Sequence, residues 1–171
     1  MLLAASLAAV AADVPPVQPV ASVDLDRYLG EWFEVARFPN FFQKSCAGEV
    51  TATYERRGDG KIRVVNRCSR EDGSVNEAEG LARPIEGGAN ARLKVRFAPS
   101  WLGVFPFVWA DYWVIGLADD YRWALVGTPD RKYLWVLSRT SSLTEADWDA
   151  AVAKARENHF DAGRLVRTRQ Q

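Results

Sequence analysis

An all-β fold of eight antiparallel strands, arranged as a sandwich or a barrel, is what this sequence predicts. Three observations carry the prediction. Short segments of alternating apolar and polar residues recur from Phe33 to Arg139, separated by turn residues. A Gly-x-Trp core within Tyr28-Leu29-Gly30-Glu31-Trp32-Phe33-Glu34 opens the run, and Trp135-Val136-Leu137-Ser138-Arg139 ends it. An aromatic plug at the start and a lone arginine at the last strand favour a barrel closed at one end, and a closed barrel points to a held ligand.

Ahead of the strands, residues 1–12 (MLLAASLAAVAA) form an apolar run far shorter than the ~20 residues that span a bilayer. Val10-Ala11-Ala12 supplies the small residues a signal peptidase accepts, so the segment reads as a secretory signal peptide although no basic residue stands near Met1. Residues 13–22, through Pro15-Pro16-Val17-Gln18-Pro19, read as a Pro-rich linker, and residues 23–171 as one domain. A chain of 171 residues with 48% hydrophobic content can build one substantial core. Lys+Arg and Asp+Glu each number 22, so no net field draws in nucleic acid or an anionic membrane.

The expected strands are Phe33–Phe38, Gly48–Arg56, Lys61–Arg70, Ser74–Arg83, Arg92–Phe97, Tyr112–Leu117, Trp123–Val126 and Tyr133–Arg139. Between them Gly58-Asp59-Gly60, Asp72-Gly73, Gly87-Gly88, Asp119-Asp120 and Pro129-Asp130 supply residues suited to tight turns. Pairing the first hairpin about Asp59 puts Val50, Ala52 and Tyr54 on one face with Ile62, Val64, Asn66 and Cys68, and this even face is the inner one. In the next strand Asn76, Ala78, Gly80 and Ala82 turn inward, and in the one after Leu93, Val95 and Phe97 do so. Ala52, Ala78, Gly80 and Ala82 are too small to fill an eight-stranded barrel. Together with polar Tyr54 and Asn66 they favour a cavity over a solid core.

Cys46 and Cys68 are the only cysteines, and an even count in an exported chain favours a disulfide. The hairpin register opposes it, because position 68 faces 50, leaving an offset to 46 of roughly 13 Å at strand rise. A bridge therefore requires Cys46 to lie in a loop folded back before the strand begins. The connection from Pro99 to Trp109 holds Trp101, Phe105, Phe107 and Trp109. It folds into its own small cluster, or forms an apolar flap at the barrel mouth that touches ligand or membrane. After the sheet, Thr144 is a helix N-cap with Asp147 three residues on, and Trp148, Ala151, Val152 and Ala155 form a stripe that packs the helix against the barrel's outside. A short strand near Arg164–Thr168 follows.

Three ordered motifs, from Asp26 to Arg37 around Gly30-Glu31-Trp32, then Val50-Thr51-Ala52-Thr53-Tyr54, then Trp135-Val136-Leu137-Ser138-Arg139, resemble those of the lipocalins, in particular the bacterial lipocalin and apolipoprotein D branch. The resemblance covers roughly Val23 to Thr168 and implies an eight-stranded antiparallel up-and-down lipocalin barrel with one C-terminal α-helix packed outside. It also implies that Trp32 closes the barrel floor and that Arg139 packs across it, a cation over an indole worth ~0.5–2 kcal/mol. The family's second motif is altered here to Ala118-Asp119-Asp120-Tyr121, with its threonine lost and its aromatic shifted. Pocket residues implied by the resemblance are Tyr54, Asn66, Trp135 and Leu137; alternation adds Ala52, Val64 and Ala78.

No catalytic set is expected. His159, the one histidine, sits beyond the helix stripe, and with two cysteines it makes no metal or haem site, so neither metal nor cofactor is anticipated. Glu34, inward beside Trp32, is expected to pair with an arginine. The chain reads as a binding protein and not an enzyme: a periplasmic or secreted carrier of a small apolar ligand such as a fatty acid or lysophospholipid, with a role in envelope maintenance. Transient contact with the outer membrane is compatible with this, without a lipid-modified cysteine, since none precedes Cys46. A lipid-modifying, isomerase-like enzyme on the same barrel and a membrane-contact module are the alternatives.

Overall fold

The structure, a computed structural model, describes residues 14–97 and 109–170. A short helix α1 (Leu25–Tyr28) leads into strands β1 (Gly30–Arg37), β2 (Gly48–Arg56), β3 (Ile62–Ser69), β4 (Val75–Pro84), β5 (Arg92–Arg96), β6 (Ala110–Leu117), β7 (Trp123–Gly127) and β8 (Leu134–Ser138). Helix α2 (Glu145–Glu157) and a two-residue strand β9 (Val166–Arg167) follow. Each strand from β2 to β7 pairs with its successor, β8 pairs with β1, and β1 pairs back to β2, which closes an eight-stranded antiparallel barrel. Closure leaves none of the eight with a bare edge.

Turn chemistry set the first hairpin as expected: Tyr54 faces Val64 and Ala52 faces Asn66 about Asp59. Above Thr51↔Arg67 the register shifts to Gly48↔Ser69, and Glu49 takes φ 51° inside this bulge. Cys46 lies in the preceding turn, its N–H donating to Gln43 O, and is bridged to Cys68 with Cα atoms 5.5 Å apart. The bulge and the folded-back loop together remove the offset that a plain ladder would leave.

β1 begins at Gly30, three residues before the expected start, because its ladder with β2 runs down to Gly30↔Tyr54. Gly30 has φ 92°, a conformation that a Cβ would strain, which accounts for the glycine of the Gly-x-Trp core.

Thr144 caps α2, its Oγ1 accepting from Asp147 N–H at 3.2 Å. Ala151 and Ala155 are buried against the barrel with Val35, Ile115, Leu125, Val136 and Phe160. Because α2 covers this side, β7 (WALVG) and β8 (LWVLS) are apolar on both faces and lack alternation. Asp147, unforeseen among the buried helix residues, is held by Arg122 through Nε at 2.9 Å and Nη2 at 2.7 Å. The stretch expected as a linker lies along the barrel, with Val17 in the outer core and Val20 N–H donating to Val114 O at 2.9 Å.

Candidate functional site

At the lower end of the barrel Trp32 is fully buried and its Nε1 donates to Tyr28 O at 2.8 Å. The Arg139 guanidinium lies 3.8 Å from the indole centroid and donates to the carbonyls of Glu31 (2.8 Å), Arg27 (2.7 Å) and Leu29 (3.0 Å). The carbonyls of Arg27 and Leu29 lie at the end of α1 and that of Glu31 at the start of β1, so one side chain caps the helix terminus and covers the plug. Burial pulls the guanidinium pKa down from its ordinary value, yet an arginine stays charged at physiological pH. The altered Ala118–Tyr121 turn keeps its aromatic at the floor: the Tyr121 hydroxyl accepts from Asp24 N–H at 2.8 Å, and Arg27 stacks 4.0 Å from its ring centroid.

Above the floor is a cavity of about 390 Å³, within the size range of small-molecule sites. Ala52, Tyr54, Val64, Asn66, Ala78, Trp135 and Leu137 all line it. Ala52, Asn66 and Ala78 stand in register on β2, β3 and β4, so one wall presents three short side chains across ~10 Å. Ala78 is exposed although its register turns it inward, which means the hollow is open.

Two of the four small residues expected to leave space do not. Gly80 is overlain by Phe97, whose ring would come within 2.7 Å of an added Cβ, and Ala82 is packed into the floor cluster. The space therefore lies above them, towards the mouth.

Three tyrosines meet at the bottom of the cavity. The Tyr112 hydroxyl is 2.8 Å from that of Tyr28 and 2.9 Å from that of Tyr54. Burial pushes the Tyr54 hydroxyl up to about 12 and lifts Tyr28 and Tyr112 well above the ordinary value. All three remain protonated at neutral pH and act as hydroxyl donors and acceptors.

The mouth is tied together by Glu34, which is 4% exposed. Its carboxylate accepts from Arg37 Nη1, Thr168 Oγ1 and Gln43 Nε2, each at 2.6 Å. β1 bulges between Glu34 and Ala36 and parts from β2 beyond Phe33↔Thr51. The C-terminal tail fills that gap, with Gln170 Nε2 donating to the carbonyls of Glu34 and Val50. Gln43 belongs to the loop over the mouth, and its Oε1 accepts from Trp135 Nε1 at 3.1 Å. Phe42 of that loop packs 5.4 Å from the Tyr133 ring, and the Cys46–Cys68 bridge pins the loop's far end.

Large apolar side chains stay exposed at this end, among them Phe41, Phe42, Val75 and Phe97. Trp109 lies beneath two guanidinium groups, those of Arg83 (4.4 Å) and Arg96 (5.0 Å). Trp101, Phe105 and Phe107 of the same expected flap lie outside the described residues.

The sequence reading missed Tyr28, Tyr112 and the Gln43 contact. Tyr112 was within reach, since it shares period-2 parity with Val114 and stands opposite inward Leu93. Tyr28 and Gln43 sit in a helical turn and a loop, where no period marks direction. Among the described residues no group of three His, Cys, Asp or Glu side chains is placed to hold a metal.

Over residues 23–170 the chain matches the family model described as a Lipocalin-like domain. It is 38% identical over 156 residues to Temperature-induced lipocalin-1 of Arabidopsis thaliana, covering 90% of this chain and 83% of that protein. To the outer membrane lipoprotein Blc of Vibrio cholerae it is 37% identical over 156 residues, covering 91% and 87%. Insecticyanin from the tobacco hornworm Manduca sexta superposes with a TM-score of 0.70 over 92% of this chain and 86% of its own. At 20% identity that likeness concerns the fold alone.

Proposed function

Since the chain belongs to the lipocalin family, we propose that its barrel carries or stores a small hydrophobic ligand, a fatty acid, lysophospholipid or similar lipid. The observation that carries this reading is the open hollow of about 390 Å³ beside the Ala52–Asn66–Ala78 row. Apolar walls at Val64, Val126 and Leu137 supply affinity: ten buried methylenes contribute about 8 kcal/mol before association costs. Tyr54 and Asn66 orient a polar group, and the Trp32–Arg139 floor keeps the lower end shut. The role is carriage and not chemistry, in keeping with lipocalins as a family of binding and transport proteins.

An envelope or secreted location goes with this function, with residues 1–12 as the export signal. The Cys46–Cys68 disulfide supports it, because such bridges persist in oxidising compartments. So does the relative in Vibrio cholerae that bears the name outer membrane lipoprotein. Titration of the purified protein with hexadecanoic acid and with a lysophospholipid quenches tryptophan fluorescence saturably; absence of saturable binding across lipid classes rejects the proposal.

A second reading, contact of the open end with a membrane, is favoured by Phe41 at 70% exposure in the loop after β1 and Val75 at 64% at the start of β4. Co-sedimentation with liposomes, lost on replacing Phe41 and Phe42 by serine, tests it; co-sedimentation unchanged by that replacement rejects it.

A further inference from the structure

The geometry points to a head-first ligand: resting on the carrier reading above, the cavity takes a free fatty acid with its carboxylate at the closed end, accepting one hydrogen bond from the hydroxyl of Tyr54 or Tyr112. Three tyrosine hydroxyls carry three protons, and the two contacts among them, 2.8 Å and 2.9 Å, consume two. The third proton has no further acceptor among the described residues. It resides on Tyr28, Tyr54 or Tyr112, and the latter two line the cavity, so the triad offers a donor to whatever fills it.

An unmet donor in a buried site is worth satisfying, since an unpaired buried polar group carries a desolvation cost. Burial keeps all three phenols protonated, so they donate and do not compete as anions.

Charge favours an anionic acceptor. Arg139 beneath the triad bonds only to backbone carbonyls and has no carboxylate within ion-pair distance among the described residues. Its field reaches Tyr28 and Tyr54. Trp32, Tyr28 and Val114 fill the barrel below the triad, so a head group at the closed end stops at the tyrosines. The single carboxylate of a free fatty acid matches the single spare donor there.

The competing seat for a carboxylate is Arg96, which lines the cavity near its open end. Three proteins separate the two: wild type, the double variant Tyr54→Phe with Tyr112→Phe, and Arg96→Gln. Each is titrated with N-phenyl-1-naphthylamine, an apolar dye without an acceptor oxygen, and hexadecanoic acid is then used to displace it.

The double variant binds dye within twofold of wild type but hexadecanoic acid about 10- to 100-fold more weakly, the worth of one hydrogen bond to a charged acceptor. Arg96→Gln weakens hexadecanoic acid by no more than it weakens the dye. Acid affinity retained in the double variant, or a loss that falls on Arg96→Gln, overturns head-first binding while leaving the carrier reading intact. Failure of wild type to bind dye or acid sinks the carrier reading itself. Should the double variant not fold, 2-¹³C-hexadecanoic acid bound to wild type gives the same decision. Its C2 protons show NOEs to the Tyr54 and Tyr112 rings if the head is down, and to Phe97 if it is up.

Discussion

Ala78→Phe places a benzyl group in the open part of the cavity, at a residue that faces Asn66 across the ladder and is exposed to the hollow. The cavity of about 390 Å³ equals roughly a dozen waters at ~30 Å³ each. A phenyl ring there excludes about four methylenes of a bound chain, at ~0.8 kcal/mol each, so binding weakens by ~3 kcal/mol, about 200-fold. Stability moves the other way. The ring gains contacts in space now empty, about 1 kcal/mol, and raises Tm by ~2–4 °C in a domain of this size. Displacement titration with hexadecanoic acid and thermal unfolding on the same samples read both signs. Affinity unchanged within threefold refutes the placement of ligand in this hollow. A Tm lowered by more than ~4 °C shows that the space is already filled.

Arg139→Met removes three carbonyl contacts and the stacking on Trp32, a loss of about 2–4 kcal/mol that lowers Tm by ~5–15 °C; an unchanged Tm contradicts the floor described here. Reducing the Cys46–Cys68 bridge, which closes a loop with a sequence separation of 22, costs about 3 kcal/mol and frees the mouth loop, raising the ligand off-rate in stopped-flow displacement. A reduced protein as stable as the oxidised one argues against it.

Arg122 beside Asp147 holds that carboxyl below the usual aspartate range. The folded value lies under the unfolded one, so the pair's contribution is complete above about pH 4 and fades as pH falls through the lowered value. Asp147→Asn therefore costs about 1–2 kcal/mol at pH 7, and the difference from wild type narrows on acidification, as unfolding curves at pH 7 and pH 3 will show. A gap that widens at pH 3 reverses the sign argument.

Much of the barrel was legible because its strands alternate and its turns carry glycine or aspartate. Gly58-Asp59-Gly60 fixed a hairpin register that the structure reproduces down to Tyr54↔Val64. Helix α2 announced itself through Thr144 and Asp147, although burial of Asp147 did not, since only the fold brings Arg122 to it. Features that break a period were hidden. The bulges at Glu49 and Glu34 leave no mark on hydrophobicity, yet they admit the disulfide and open the gap that the C-terminal tail fills. Gly80 misled in a different way, because a small inner residue signals either space or a neighbour lying on it, and here Phe97 lies on it. The tyrosine triad draws one hydroxyl each from α1, β2 and β6, so no local stretch of sequence contains it.

Native mass spectrometry of the protein purified from its own host, beside Ala78→Phe prepared in the same way, bears most directly on the hollow barrel as a carrier. Wild type should fly with one lipid-sized mass increment per chain that hexadecanoic acid displaces, and the variant should fly largely without it. A wild type that carries nothing and takes up no lipid on addition, or a variant that retains the same increment, contradicts the account.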